Sequence, residues 1–153
     1  MTLKELDQMI KDSEFATLGF IDQDGTPGVR RVFCTWHKGL GGHLISTNTS
    51  SLHTQALLKN GRACLYFDDC KDFRGLCLTG KVTVHFEHEY RALLWHEQDV
   101  MYYPKGVDDE DYCVLEFQAE RGRYYTYGDI GNLSKEELRA YEAEAEFANF
   151  AKT

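Results

Sequence analysis

The sequence predicts a mainly β chain, an antiparallel barrel with helices inserted between its strands. Three observations carry that expectation. Short β-branched and aromatic runs recur at brief intervals, among them FATLGFI, HLIST, ACLYF and YCVLEFQ. Turn signals separate most of them, notably Asp22-Gln23-Asp24-Gly25 and the glycine-rich stretch 38–42. The helical stretches are few and do not alternate with strands, as a parallel βαβ sheet would require.

Taken in order, Thr2 and Glu5 form a capping-box pair ahead of Leu3, Leu6, Met9 and Ile10 at helical spacing, which predicts a first helix ending near Ser13. A strand over 15–21 turns at Asp22–Gly25 into a return strand over 28–37. Neither face of that return strand is polar enough to face water, so it is expected to be buried on both sides, with a second copy of the chain as the simplest cover and the inserted helices as the alternative. A strand at 43–47 leads into a second helix, about 50–59, with Asn60-Gly61 as its stop. Strands follow at 63–67 and about 74–86, the latter alternating Leu76, Leu78, Val82 and Val84 with Cys77, Thr79, Lys81 and Thr83. A third helix is expected over 87–98, two last strands at 112–118 and 122–127, and a final charged helix from Ser134, boxed by Glu137, to about 150. No repeat or linker interrupts the chain, so residues 1–153 read as one domain, with the barrel at about 14–128.

Composition narrows the function. The 153 residues carry 25 acidic and 17 basic side chains, a formal charge of −8 that argues against nucleic acid or an anionic membrane as partner. No run approaches the ~18 uncharged apolar residues of a spanning helix, and the charged N-terminus does not read as a signal peptide. Five cysteines with no CxxC spacing read as free thiols of a reducing, cytoplasmic protein, four in apolar runs (Cys34, Cys64, Cys77, Cys113) and Cys70 in a polar turn. No metal site is expected: His85 and His88 lie three apart on a strand and would point to opposite faces. The acidic run 108–111 lacks the alternating ligands and central glycine of a calcium loop and reads as a solvated turn.

Any anionic ligand of so acidic a chain needs a local cationic patch. The segment HLISTNTSSLHTQALLKNG, residues 43–61, delivers hydroxyl and amide side chains into a helix start, where free N–H groups and the positive end of the helix dipole can hold a phosphate. His53 adds an imidazole donor. Arg30 and Arg31 are expected on the neighbouring strand, where an arginine fork can reach the same anion. Read more plainly, Ser50 or Ser51 is only a helix cap and the arginines are rim charges.

Here the sequence resembles a family. ATLGFIDQDGTPGVRRVF, LISTNTSSLHTQALLKNGRACLYFDD, LTGKVTVHF and YYPKGVDDEDYCVLEFQAERGRYY, together spanning roughly residues 6–127, are similar to the pyridoxamine 5′-phosphate oxidase-like FMN-binding split barrels, nearest the small general-stress-protein branch. The resemblance implies a six-stranded antiparallel Greek-key split barrel and a homodimer with FMN at the subunit interface. It implies that Arg30 meets the flavin phosphate, that Thr47, Asn48, Ser50 and Ser51 wrap the phosphate and ribityl chain, that Tyr66 and Phe67 line the flavin region, and that Trp95, Tyr102 and Tyr103 form an aromatic patch near the partner's site. His53 stands where many relatives place a lysine. Vitamin B6 oxidation is not implied, because an acidic helix, SKEELRAYEAEAEF, replaces the substrate-gripping tail of the true oxidases. The function expected is FMN-dependent electron transfer from a reduced nicotinamide to a small acceptor, with no catalytic acid or base from the chain. The alternatives are a barrel that stores or senses flavin, haem or a deazaflavin, or one that has lost its cofactor.

Overall fold

Thr2 and Glu5 close the capping box foreseen for the first helix, α1 (Leu3–Lys11), whose Leu6, Met9 and Ile10 turn inward. This helix opens a computed structural model that describes residues 1–33 and 36–149. The chain then runs β1 (Phe15–Ile21), β2 (Pro27–Phe33), β3 (Trp36–Lys38), β4 (Gly42–Asn48), α2 (Leu52–Lys59), β5 (Arg62–Asp69), β6 (Arg74–His85), α3 (His88–Leu94), β7 (Tyr112–Tyr125), β8 (Ile130–Leu133), α4 (Lys135–Glu144) and β9 (Phe147–Asn149). The strands form one curled antiparallel sheet in the order β2-β1-β5-β6-β7-β4-β3-β9, with β8 on β7, consistent with a split barrel. Leu18, Leu65, Phe67, Leu76, Leu78, Leu115 and Phe117 fill its concave side and are almost wholly buried. Each contributes about 1.5–3 kcal/mol of apolar burial.

Several elements differ from the sequence expectation. The expected strand over 28–37 is two strands: β2 pairs with β1, whereas β3 pairs with β4, and Cys34 and Thr35 between them lie outside the described residues. Nor does the single chain bury β2 on both faces. Only Val32 is buried, and Val29 is 75% exposed. The expected strands 112–118 and 122–127 are one strand, β7, which continues through a bulge that leaves Glu120 without a partner between Ala119 and Arg121. The third helix stops at Leu94 because Trp95 adopts an extended backbone; the Asp99 carboxylate then accepts the His96 N–H at 2.8 Å and starts a separate 3-10 turn, Glu97–Met101. The final helix ends at Glu144, where the chain turns to add β9 to the sheet edge. That strand and β8 take the count above the six expected. Cys113 is buried, but Cys64 and Cys77 lie half-buried on the convex face of the sheet, because their neighbours Leu65, Leu76 and Leu78 hold the concave one.

Candidate functional site

β4 is pinned along its length to β7, from Gly42–Gln118 to Asn48–Tyr112, so its end is fixed where α2 begins. Ser51 caps α2 by accepting the Thr54 N–H at 3.3 Å. The Ser51 and Thr54 hydroxyls both donate to the Asn48 carbonyl, at 2.7 and 2.8 Å. Beneath this turn the Thr47 hydroxyl is 2.7 Å from His53 Nε2, and Ser51 Oγ is 3.2 Å from the same nitrogen. His53 is 2% exposed, and burial followed by the nearby Arg30 charge pushes its pKa down to about 4. At neutral pH it is therefore an uncharged prop inside the turn, and its side chain is spent on this network rather than held out as a cation.

Arg30 stands opposite Leu18 in the β1–β2 ladder, on the concave side at the open edge of the sheet, close enough for its charge to reach His53. Arg31 stands opposite Thr17 on the other face, with its guanidinium 5.1 Å from the Phe15 ring centre. The expectation that both arginines reach one anion across a hairpin with 43–47 is therefore corrected on two counts. Successive residues of a strand face opposite ways, and β2 is laddered to β1 rather than to β4.

Asn48 and Ser50 are tied to an acid that the sequence reading assigned to a solvated turn. The Asp111 carboxylate accepts the Asn48 amide at 2.9 Å and the Ser50 N–H at 2.8 Å, and its carbonyl accepts the Thr49 N–H at 2.7 Å. These bonds hold the carboxyl below its ordinary pKa. Asp109 is likewise engaged, accepting the N–H groups of Lys105 and Asp111. Residues 108–111 are all acidic, so the sequence carries no signal that separates the engaged Asp109 and Asp111 from the exposed Asp108 and Glu110. Thr54, buried in the same network, was missed because it lies inside the helix pattern.

Trp95 packs edge-on to Tyr112 at 5.4 Å beside Tyr103, whose hydroxyl donates to Asn48 Oδ1 at 3.4 Å, so this aromatic group abuts the β4–α2 turn. Tyr66 is elsewhere. It lies on the convex face of β5, its phenol hydrogen-bonded to that of Tyr125. The single chain thus brings Arg30, Thr47, Asn48, Ser50, Ser51, His53 and Trp95 to one region and leaves Arg31 and Tyr66 on the opposite face.

A phosphate fits this turn in one way. Thr54 and Ser50 have spent their N–H groups on Ser51 and Asp111. The first-turn N–H groups of Leu52 and His53 lie ahead of the helix's own ladder, beside the Arg30 charge, and can donate to an anion held together with it. Among the described residues no group of three His, Cys, Asp or Glu side chains could hold a metal ion, and no helix is long and apolar enough to cross a membrane.

Comparison with known proteins agrees with this architecture. No curated protein matches the sequence. A protein from Clostridium acetobutylicum related to general stress protein 26 of Bacillus subtilis, of the pyridoxine-phosphate oxidase family, is 33% identical; the match covers 89% of this chain and 96% of that one, with a TM-score of 0.79. General stress protein 26 from Bacillus anthracis shares the fold at 13% identity, covering 98% of this chain and 100% of that one, with a TM-score of 0.67. A heme binding protein from Mycobacterium smegmatis does so at 19% identity over 92% of this chain and 61% of that one, with a TM-score of 0.72. Residues 2–126 match the model of the pyridoxamine 5′-phosphate oxidase family. Together with the curled antiparallel sheet, that match and the Clostridium relative place this chain in the pyridoxamine 5′-phosphate oxidase family, within its general-stress-protein branch.

Proposed function

We propose that the chain binds FMN as a homodimer, with the cofactor at the subunit interface, and passes electrons from a reduced nicotinamide to a small acceptor. The observation that carries this reading is Arg30, whose charge reaches His53 at the opening turn of α2 in a chain of net charge −8. Bound FMN supplies the redox chemistry. The chain's own residues bind and orient it. Arg30 and the N–H groups of Leu52 and His53 hold the phosphate, while Thr47, Ser51 and the neutral His53 keep that turn rigid. Asn48 and Ser50 are fixed by Asp111 at its rim, and Trp95 adds an aromatic wall. Arg31 and Tyr66, on the convex face beside the exposed Val29 and Phe15, belong to the surface a second copy would cover. Free thiols fit a reducing cytoplasm.

Fluorescence titration of FMN into the wild type and Arg30→Ala tests the reading. The variant is expected to lose ~1.5–3 kcal/mol of binding, the range for a charged hydrogen bond; equal affinities overturn it. Bleaching of the yellow preparation by NADH or NADPH tests the electron transfer. A second reading, haem binding, draws on the fold shared with the Mycobacterium smegmatis protein. It predicts a Soret band, and a flavin spectrum dismisses it.

A further inference from the structure

We propose that the cleft at the C-terminal end of α2 is a second anion site, built for a ligand with several linked phosphoryl groups. Lys59 at the end of α2, Arg62 at the start of β5, Lys81 on β6 and Arg121 on β7 line a single cleft of about 700 Å³, with Glu120 as its one carboxylate. Four of the chain's 17 basic side chains therefore converge on one spot of an acidic protein. None of the four forms an ion pair among the described residues, and all four are exposed.

The sheet is arranged against its own stability here. Arg62 lies directly opposite Lys81 in the β5–β6 ladder, on the same convex face. Like charges in that position repel, and an acidic residue at either would relieve them. The β7 bulge adds to the concentration of charge. Ala119 pairs with Gly80, so an unbroken ladder would set Glu120 opposite Thr79; the extra residue sets Arg121 there instead. Gly80 lines the cleft as bare backbone, since a Cβ there would come 2.0 Å from the Gln118 carbonyl oxygen.

The lining also specifies the ligand class. No aromatic side chain contributes, so nothing is offered for a base or ring to stack on. Two guanidinium forks and two ammonium groups, spread over a helix end and three strands, exceed what a single phosphate needs and match a chain of them. α2 has eight residues, a rise of about 12 Å, which separates this cleft from the opening turn that the Arg30 charge reaches.

Calorimetric titration of the full chain with phosphate, pyrophosphate, tripolyphosphate and ATP at constant ionic strength tests the proposal. Affinity is expected to climb with the number of phosphoryl groups. Lys81→Gln and Arg121→Gln should each weaken tripolyphosphate by about tenfold and leave FMN affinity unchanged, whereas Glu120→Gln should strengthen it. Lys81→Gln should also raise the melting temperature of the ligand-free protein, because it removes the Arg62 repulsion, so binding and stability move in opposite directions. Equal affinity for ATP and tripolyphosphate identifies the phosphate chain itself as the ligand; tighter ATP binding identifies a nucleotide as its source. No saturation by tripolyphosphate, unchanged binding in both glutamine variants, or preference for a single-stranded oligonucleotide overturns the assignment.

Discussion

Thr47 and His53, six residues apart in the chain, are joined by a 2.7 Å hydrogen bond under the first turn of α2, where burial keeps the imidazole a neutral ring. His53 thus cannot supply charge to that turn at neutral pH. Arg30 is a positive charge that reaches it.

Acid should therefore unfold the protein through its buried histidines. His53 is held down to about 4 and the fully buried His43 to about 3, in both cases chiefly by burial. Each folded value lies below the ordinary 6.5, so the unfolded chain binds more protons between those limits. Stability is complete above about pH 6.5 and is lost as the pH falls toward 4 for His53 and toward 3 for His43, by about 3 and about 5 kcal/mol respectively. Urea denaturation at pH 7, 6, 5 and 4 reads the loss, and His53→Gln should flatten the slope by one proton. A curve level from pH 7 to pH 5 contradicts it.

The two arginines of β2 should separate cleanly. Arg30→Ala weakens FMN by the margin given above. Arg31→Ala should instead lose the contact with Phe15, about 0.5–1 kcal/mol, and disturb self-association more than phosphate binding. Sedimentation velocity beside the FMN titration distinguishes them; identical effects on flavin affinity would return both to one site.

Asp111 opposes itself in two roles. Its carboxylate fastens Asn48 and Ser50, yet it carries negative charge to the rim of the anion site. Asp111→Asn should tighten FMN severalfold while lowering stability by about 1–2 kcal/mol. A fall in both quantities would mean that the turn, once loosened, no longer presents its N–H groups.

Gly80 should tolerate no side chain. The Cβ of Gly80→Ala would strike the Gln118 carbonyl and come 2.8 Å from Ala119 Cα, both backbone. A loss of about 3 kcal/mol is expected from such overpacking. Gly128→Ala, where nothing lies within 4 Å, is the control and should stay within ~0.5 kcal/mol. Guanidinium midpoints measure both.

The amino-acid order by itself determined several of the local elements and the class of fold. Capping boxes at Thr2 and Ser134, the Asp22–Gly25 turn and the alternation of Leu76 and Leu78 with Cys77 and Thr79 are interactions between near neighbours, so they are legible without a structure. The hydroxyl-rich entry into α2 was legible for the same reason. Only the tertiary structure decided that β2 ladders to β1 rather than to β4, that Asp111 reaches back 61 residues to Ser50, and that His53 turns inward. Those outcomes depend on strand register and on which face of the sheet is filled. Both are set by the packing of distant apolar side chains, and no local pattern of residues carries that information.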